Sequence, residues 1–341
     1  MNLKPLIYNG KIIVLAFPDT FVQLSDELMC KILPLVGLGT RTHIKAGHAA
    51  LVLIENKTGK AQYFDFGRYI TPPGKGRVRG AITDIELHIP FLAQIDEQGQ
   101  LKNLDQFLLW LDAHPDKTHG SGRLVASLCE HINYELALRY ILELQSQGSI
   151  PYKAFGKVGS NCARFVTETI LAATSEPQII KRLNHNKKFT PSTVGNVEKS
   201  ATEKIFEVSQ GRVRLYHSSA LRENLTNYFD KRVPKTDKQP SVLRVPDSAQ
   251  LLRGTGSSAW FELTQNTKGE DVVRRYTESG ALDFEGNTVL PPNFDPKQPY
   301  AFVYDSNCAF CTVEQANTKF RLELYVKSSV RSNLVQRVHS A

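Results

Sequence analysis

No apolar run in this 341-residue chain approaches the roughly 18 residues that would span a bilayer. The N-terminal stretch MNLKPLIYNGKIIVLAF breaks its short hydrophobic segment with Asn9, Gly10 and Lys11. Neither a secretory signal nor a membrane anchor is therefore expected. Cysteine is sparse: five residues, an odd number, spread from Cys30 to Cys311. That count argues against a disulfide framework, suits a reducing compartment and leaves thiols for chemistry, so the expected location is cytoplasmic. There is no repeat of fixed period and no low-complexity tract, which argues against a solenoid or a disordered linker protein. Nor is there a block of one charge. The formal charge is +8, but Lys and Arg are dispersed and cluster only in GKGRVRG and HNKKF, so a nucleic-acid partner is not expected. The remaining composition, 41% hydrophobic and 22% charged, is that of a globular protein, and its length favours two folding units.

Strand-like and helix-like segments alternate over the first half. KIIVLAF (11–17) is a β-branched apolar run, and DELMCKILPLVGLG has helical spacing until Pro34 and the glycines stop it. GHAALVLIE and KAQYFDFG are β-rich runs separated by NKTG, the pattern of a hairpin. RYITPPGKGRVRG reads as a loop and DIELHIPFLAQI as a strand. NLDQFLLWLDAHP, NYELALRYILELQSQG and CARFVTETILAAT read as helices, with GRLVASLCEHI a strand between the first two. The polar stretch with Pro177, Pro191 and NHNKKFTPSTVGN looks like a boundary. Beyond it GRVRLYH, SVLRVP, AWFELTQ, DVVRRYT, ALDFEG, AFVYDS and FRLELYVK are short strands between turns. The expected organisation is a domain over 1–183, a linker over 184–205 and a small β-rich domain over 206–341. The fold class is α+β.

The chemistry-bearing stretch is GSNCARFV. A cysteine that opens a helix sits where the backbone dipole favours the thiolate, the form that attacks carbonyl carbon. Cys162 is thus a candidate nucleophile, and it needs a base, a group that orients the base and donors for an oxyanion. His48 opens a strand among Gly47, Ala49 and Ala50, which leave room for an imidazole; by itself it also reads as a half-buried strand histidine. If NKTG forms a four-residue loop, Glu55 faces Lys60 and Ala50 faces Asp65. Asp65 then lies diagonally from His48 at roughly 7–8 Å between backbones, across a small Ala50. A three-residue loop with a bulge would instead send Asp65 to the opposite face, and the plainer reading of Asp65 is a rim carboxylate paired with Arg68. The N–H of Cys162 is the natural oxyanion donor, Tyr152 a second donor or a pocket wall, and Ser160 or Asn161 the helix cap; Asn161 and Tyr63 are further candidates to face the substrate or its oxyanion.

The GHAAL strand, the YFDF strand after it and, after about a hundred residues, IPY followed by NCARFV on a helix resemble the circularly permuted branch of the NlpC-type papain-like superfamily. The nucleophile helix is similar to that of lecithin retinol acyltransferase-like members, and the PY pair is similar to YiiX/YaeF-like ones. The whole chain also resembles an uncharacterised family of bacterial proteins. The resemblance covers roughly residues 10–175. It implies a permuted papain-like domain with an antiparallel sheet and a nucleophile helix, Cys162 as nucleophile, His48 as base and a polar residue of the next strand as orienter. In the acyltransferase-like members that residue is a histidine. Here no histidine lies between Glu55 and His88, so Asp65 takes the place, with Tyr63 the alternative on the same face.

CAFC (308–311) is a single CxxC without a second pair, and buried thiols are a better account of it than a zinc site. Arg77 and Arg79, after the hairpin, read first as part of a solvated loop; the second reading has them overhang a cleft and bind a substrate anion. The expected function is a cysteine-dependent hydrolase or acyl-transfer enzyme acting on a peptide or a small amide or ester, with no metal or other cofactor and no membrane partner. The alternative is a silent papain-like fold that binds partners through its β domain.

Overall fold

The computed structural model describes residues 6–156, 158–234 and 243–326. The chain divides into two compact units, Met1–Lys238 with Gly254–Gly256, and Gln239–Arg253 with Ser257–Ala341.

The first unit is built on an eight-stranded sheet. Its strands in chain order are β1 (Gly10–Phe17), then, after the two-residue pair β2 (Val22–Gln23) and β3 (His43–Ile44), β4 (His48–Glu55), β5 (Ala61–Gly67), β6 (Lys75–Gly80), β7 (Leu124–Ile132), β8 (Ile150–Pro151), β9 (Ile205–Ser209) and β10 (Arg212–Leu215). The spatial order is β10-β9-β7-β1-β4-β5-β6-β8, and each of these pairings is antiparallel. The helices are α1 (Leu28–Ile32), α2 (Leu104–Asp112), α3 (Pro115–Thr118), α4 (Tyr134–Ser146), α5 (Cys162–Ala173), α6 (Pro177–Asn186), α7 (Thr193–Ser200) and α8 (Ala220–Tyr228).

Side chains alternate across a strand, and here both faces are covered. Ile12, Val14, Leu51 and Leu53 pack with Phe165, Val166 and Ile170 of α5 and with residues of α4 and α7. Their neighbours Ile13, Leu15, Val52 and Ile54 pack with Phe107, Leu108 and Leu111 of α2. This is why β1 and β4 read as continuous hydrophobic runs rather than as an alternating pattern, an arrangement more usual for parallel sheets.

The hairpin has the register of the four-residue loop: Ala50 pairs with Asp65 and Val52 with Tyr63, and the Glu55 N–H donates to the Lys60 carbonyl at 2.9 Å. Four other readings are corrected. GKGRVRG is β6, paired with β5, not a loop. DIELHIPFLAQI contains a single 3₁₀ turn at Ile85–Leu87, since Pro90 lacks the N–H a ladder needs. The stretch expected to be a linker carries the end of α6 and all of α7, whose Val194, Asn196 and Val197 are buried. The β9–β10 hairpin, expected in the C-terminal domain, pairs with β7 and extends the first sheet. Its short strands look the same in sequence whichever sheet edge they join.

The second unit has a four-stranded sheet of β11 (Gln250–Leu252), β12 (Ala259–Gln265), β13 (Asp271–Thr277) and β14 (Leu282–Asn287), and a three-stranded sheet of β15 (Ala301–Val303), β16 (Phe310–Gln315) and β17 (Thr318–Glu323). Of SVLRVP, Ser241 and Val242 lie outside the described residues, and Leu243–Pro246 carries no strand. Cys308 and Cys311 are buried. No group of three or more His, Cys, Asp or Glu side chains able to hold a metal occurs among the described residues.

Gly47 sets the entry to β4. Its φ is +78°, and an added Cβ would stand 2.8 Å from Thr193 Oγ1 and 3.0 Å from the Phe17 carbonyl. Gly47→Ala is expected to cost about 1–2 kcal/mol from the left-handed conformation alone, with the steric conflict added, read as a lowered denaturant midpoint at unchanged slope.

Candidate active site

The nucleophile helix starts where its sequence demands. Asn161 has extended backbone, and its side-chain oxygen accepts the Arg164 N–H at 2.9 Å, which caps α5. Its amide donates to the Lys153 carbonyl at 2.8 Å and so ties the preceding loop to the helix start. With both groups engaged in this way, Asn161 acts through the backbone rather than on a ligand. Cys162 is the first helical residue, next to the positive end of the dipole.

His48 is the first residue of β4, opposite Phe17 of β1, with the two rings stacked at 6.2 Å. Its Nε2 lies 3.3 Å from Asp65 Oδ2, and the ring lines the same cavity as Cys162, close enough for each group to shift the other's titration. The imidazole therefore stands between a sulfur from the helix layer on one face of the sheet and a carboxylate that shares a side with Tyr63 on the other.

Asp65 is fully buried, and it is not the rim partner of Arg68. Arg79 of β6, directly opposite in register, grips it through two bonds, Nε to Oδ1 at 3.0 Å and Nη2 to Oδ2 at 2.5 Å. The Tyr63 hydroxyl donates to Oδ2 at 3.1 Å. Tyr63 is thus occupied by the carboxylate and is not presented to an oxyanion, a correction to its expected role. Arg79 also lies over the Tyr69 ring at 3.8 Å and donates to the Lys117 carbonyl. Arg77 is tied to Asp84 through two short bonds. Both guanidinium groups are buried in ion pairs, so the expectation that they overhang a cleft is overturned. The pairing of Arg79 with Asp65 is what sequence reasoning missed, and the signal for it was the alternation of Lys75, Arg77 and Arg79 along one strand.

Burial alone would favour the neutral form of each group. For Asp65 the Arg79 charge and the His48 and Arg79 hydrogen bonds outweigh burial, and the carboxyl lies far below its ordinary range. For His48 burial is likewise outweighed by the hydrogen bonds from Asp65 and Cys162, and the imidazole rises to about 9. Burial pushes the Cys162 thiol up, but the hydrogen bond and charge of His48, with the N–H groups of Ala49 and Ala163, bring it below its ordinary value. These shifts favour a thiolate–imidazolium pair. Cys129, buried with no such partner, is pushed up to about 12.

Tyr152 stands beside the sulfur; burial and the Cys162 charge raise the phenol. Its ring stacks on Phe66 at 6.0 Å and lies under the Arg68 guanidinium at 4.7 Å. Two cavities meet at Cys162 and Tyr152, one of about 270 Å³ and one of about 260 Å³. Cys162, though only 7% exposed, lines both of them.

Residues 12–179 match the family model described as type VI secretion system effector TseH-like, and residues 249–325 match the DUF6695 C-terminal domain. No curated protein matches the chain. Among solved structures, the crystal structure of the type VI secretion system effector TseH is similar at 16% identity with a TM-score of 0.41, over 62% of this chain and 99% of that one. No helix among the described residues is long and apolar enough to cross a membrane. The first unit is a mixed α+β domain with a large antiparallel sheet.

Proposed function

We propose that this protein is a cysteine-dependent hydrolase or acyl-transfer enzyme that cleaves an amide, peptide or ester bond through a Cys162 thioester. One observation carries the reading: a single imidazole bonded to a buried carboxylate stands in the same cavity as a thiol at a helix N-terminus. In this reading the thiolate attacks the carbonyl carbon, with its proton already on His48. Charge developing on the carbonyl oxygen meets the N–H groups at the start of α5 and the Tyr152 hydroxyl. As the intermediate collapses, the bond to the leaving group breaks and His48 gives that group its proton. Water or another acceptor, deprotonated by the same imidazole, then attacks the thioester and restores the thiol. Asp65 holds the Nε2–H tautomer and stabilises the imidazolium, and Arg79 and Tyr63 are positioning residues for Asp65. The chain order, with the histidine strand before the cysteine helix, supports the permuted NlpC-type arrangement. The name of the matched effector family supports a target outside the cell that makes the protein.

Carbamidomethylation with iodoacetamide tests the nucleophile. Cys162 is expected to react near neutral pH at least about a hundred-fold faster than Cys129, and His48→Ala is expected to slow it on the order of ten-fold or more by returning the thiol to burial alone. Equal rates at the two cysteines in the folded protein, read by peptide mass spectrometry, would refute the assignment.

The orienting pair is tested by NMR titration of the His48 ring. The imidazolium persists below its titration point and is lost as pH rises through it, so the wild-type midpoint should fall near 9. Asp65→Asn should move that midpoint down and should destabilise the fold by about 3–5 kcal/mol, since Arg79 is left buried without a counter-charge. An unmoved midpoint in a folded Asp65→Asn protein would remove Asp65 from the site.

A further inference from the structure

The two cavities that meet at the sulfur differ in chemistry. They share Val22, Gln23, Tyr152 and Cys162, so the nucleophile stands at their junction. The larger is walled by hydrocarbon, with Met29, Leu33, Leu38, Ile44 and Phe155 among its lining. Three of the polar side chains in that wall are already engaged. Ser25 donates to Glu27 at 2.7 Å, Ser192 caps α7 by accepting the Gly195 N–H at 3.0 Å, and Asn161 caps α5. A ligand there meets carbon and few available polar partners. Phe189 lies at the same cavity, 74% exposed, with its ring edge-on to Phe155 at 6.1 Å.

The other cavity is lined by His43, His48, His119 and Arg68. Arg68 is held in place by its Nη2 bond to the Gln23 carbonyl at 2.8 Å. His119, stacked on Tyr69 at 4.9 Å, is kept neutral by burial and the Arg79 charge, at about 3.

We infer that the junction sorts the two halves of the substrate: the hydrocarbon chamber takes a compact apolar group on the acyl side of the scissile carbonyl, and the polar chamber takes the leaving group. The substrate class is therefore an amide or ester of a medium-sized apolar acyl group. A volume of about 270 Å³ sits at the small end of ligand pockets and sets an upper limit on acyl size. This inference rests on Cys162 carrying the acyl group, and its test separates the two claims.

p-Nitrophenyl esters of increasing acyl length provide the probe. The Sγ–carbonyl bond forms, the ester C–O bond breaks and p-nitrophenolate is released, while the thiol proton rests on His48. Each buried CH₂ contributes roughly four-fold, so the four additional CH₂ groups of the hexanoate are expected to raise kcat/KM over the acetate by up to about 250-fold, and the hexadecanoate is expected to fall back. Met29→Glu, at a position already 42% exposed, is expected to collapse the hexanoate-to-acetate ratio toward one. Binding of hexanamide and acetamide to Cys162→Ser, measured by calorimetry, reads the chamber without chemistry. Hexanamide binding without ester turnover would leave the chamber standing and refute the thioester reading. Turnover with a flat length profile, or a ratio unmoved by Met29→Glu, would overturn the chamber assignment and leave the thioester reading intact.

Discussion

The candidate site depends on keeping one carboxylate charged where water cannot reach it. Asp65 is fully buried, and without partners such a group would take up a proton and could not stabilise an imidazolium. The Arg79 fork supplies a counter-charge at two fixed points, and the Tyr63 hydroxyl fills a further acceptor position. Arginine suits this role because its planar fork matches a carboxylate and does not lose its proton on burial. A buried pair of this kind is weak evidence for stability, because desolvation offsets much of the attraction. What it supplies is a fixed negative end for the His48 ring.

From that anchor the charge order passes across the sheet. Arg79 holds Asp65, Asp65 holds His48, and His48 meets a sulfur that starts the helix on the opposite face. Strand pairing fixes the first link, since Asp65 and Arg79 are register partners. The hairpin fixes the second, with Ala50 small enough to let the imidazole and carboxylate meet diagonally. The third depends on α5 packing its Phe165, Val166 and Ile170 against the sheet, and so on the core. Substitution deep in that core is thus coupled to the chemistry at its edge.

Much of this was legible in the residues. NKTG between two β-rich runs gives the hairpin register, because loop length determines which residues face each other. SNCARFV gives the start of α5, because a side-chain cap and the hydrophobic spacing after it agree. Arg79 was hidden because glycines and prolines around GKGRVRG have the composition of a loop, and only pairing with β5 makes it a strand. The site of β9 and β10 was hidden too, since their short alternating segments carry no mark of the edge they join.

The sequence alone therefore determined the local chemistry: which thiol begins a helix, which histidine begins a strand and which carboxylate shares its face. Those are properties of neighbours along the chain and of period-two and period-3.6 geometry. Tertiary packing decided that Arg79 turns inward, that Tyr63 serves Asp65 rather than a ligand, and that the sulfur lies between a hydrocarbon chamber and a polar one. Each of these brings together segments distant in sequence, and only burial and charge pairing in the folded chain select among their possible neighbours.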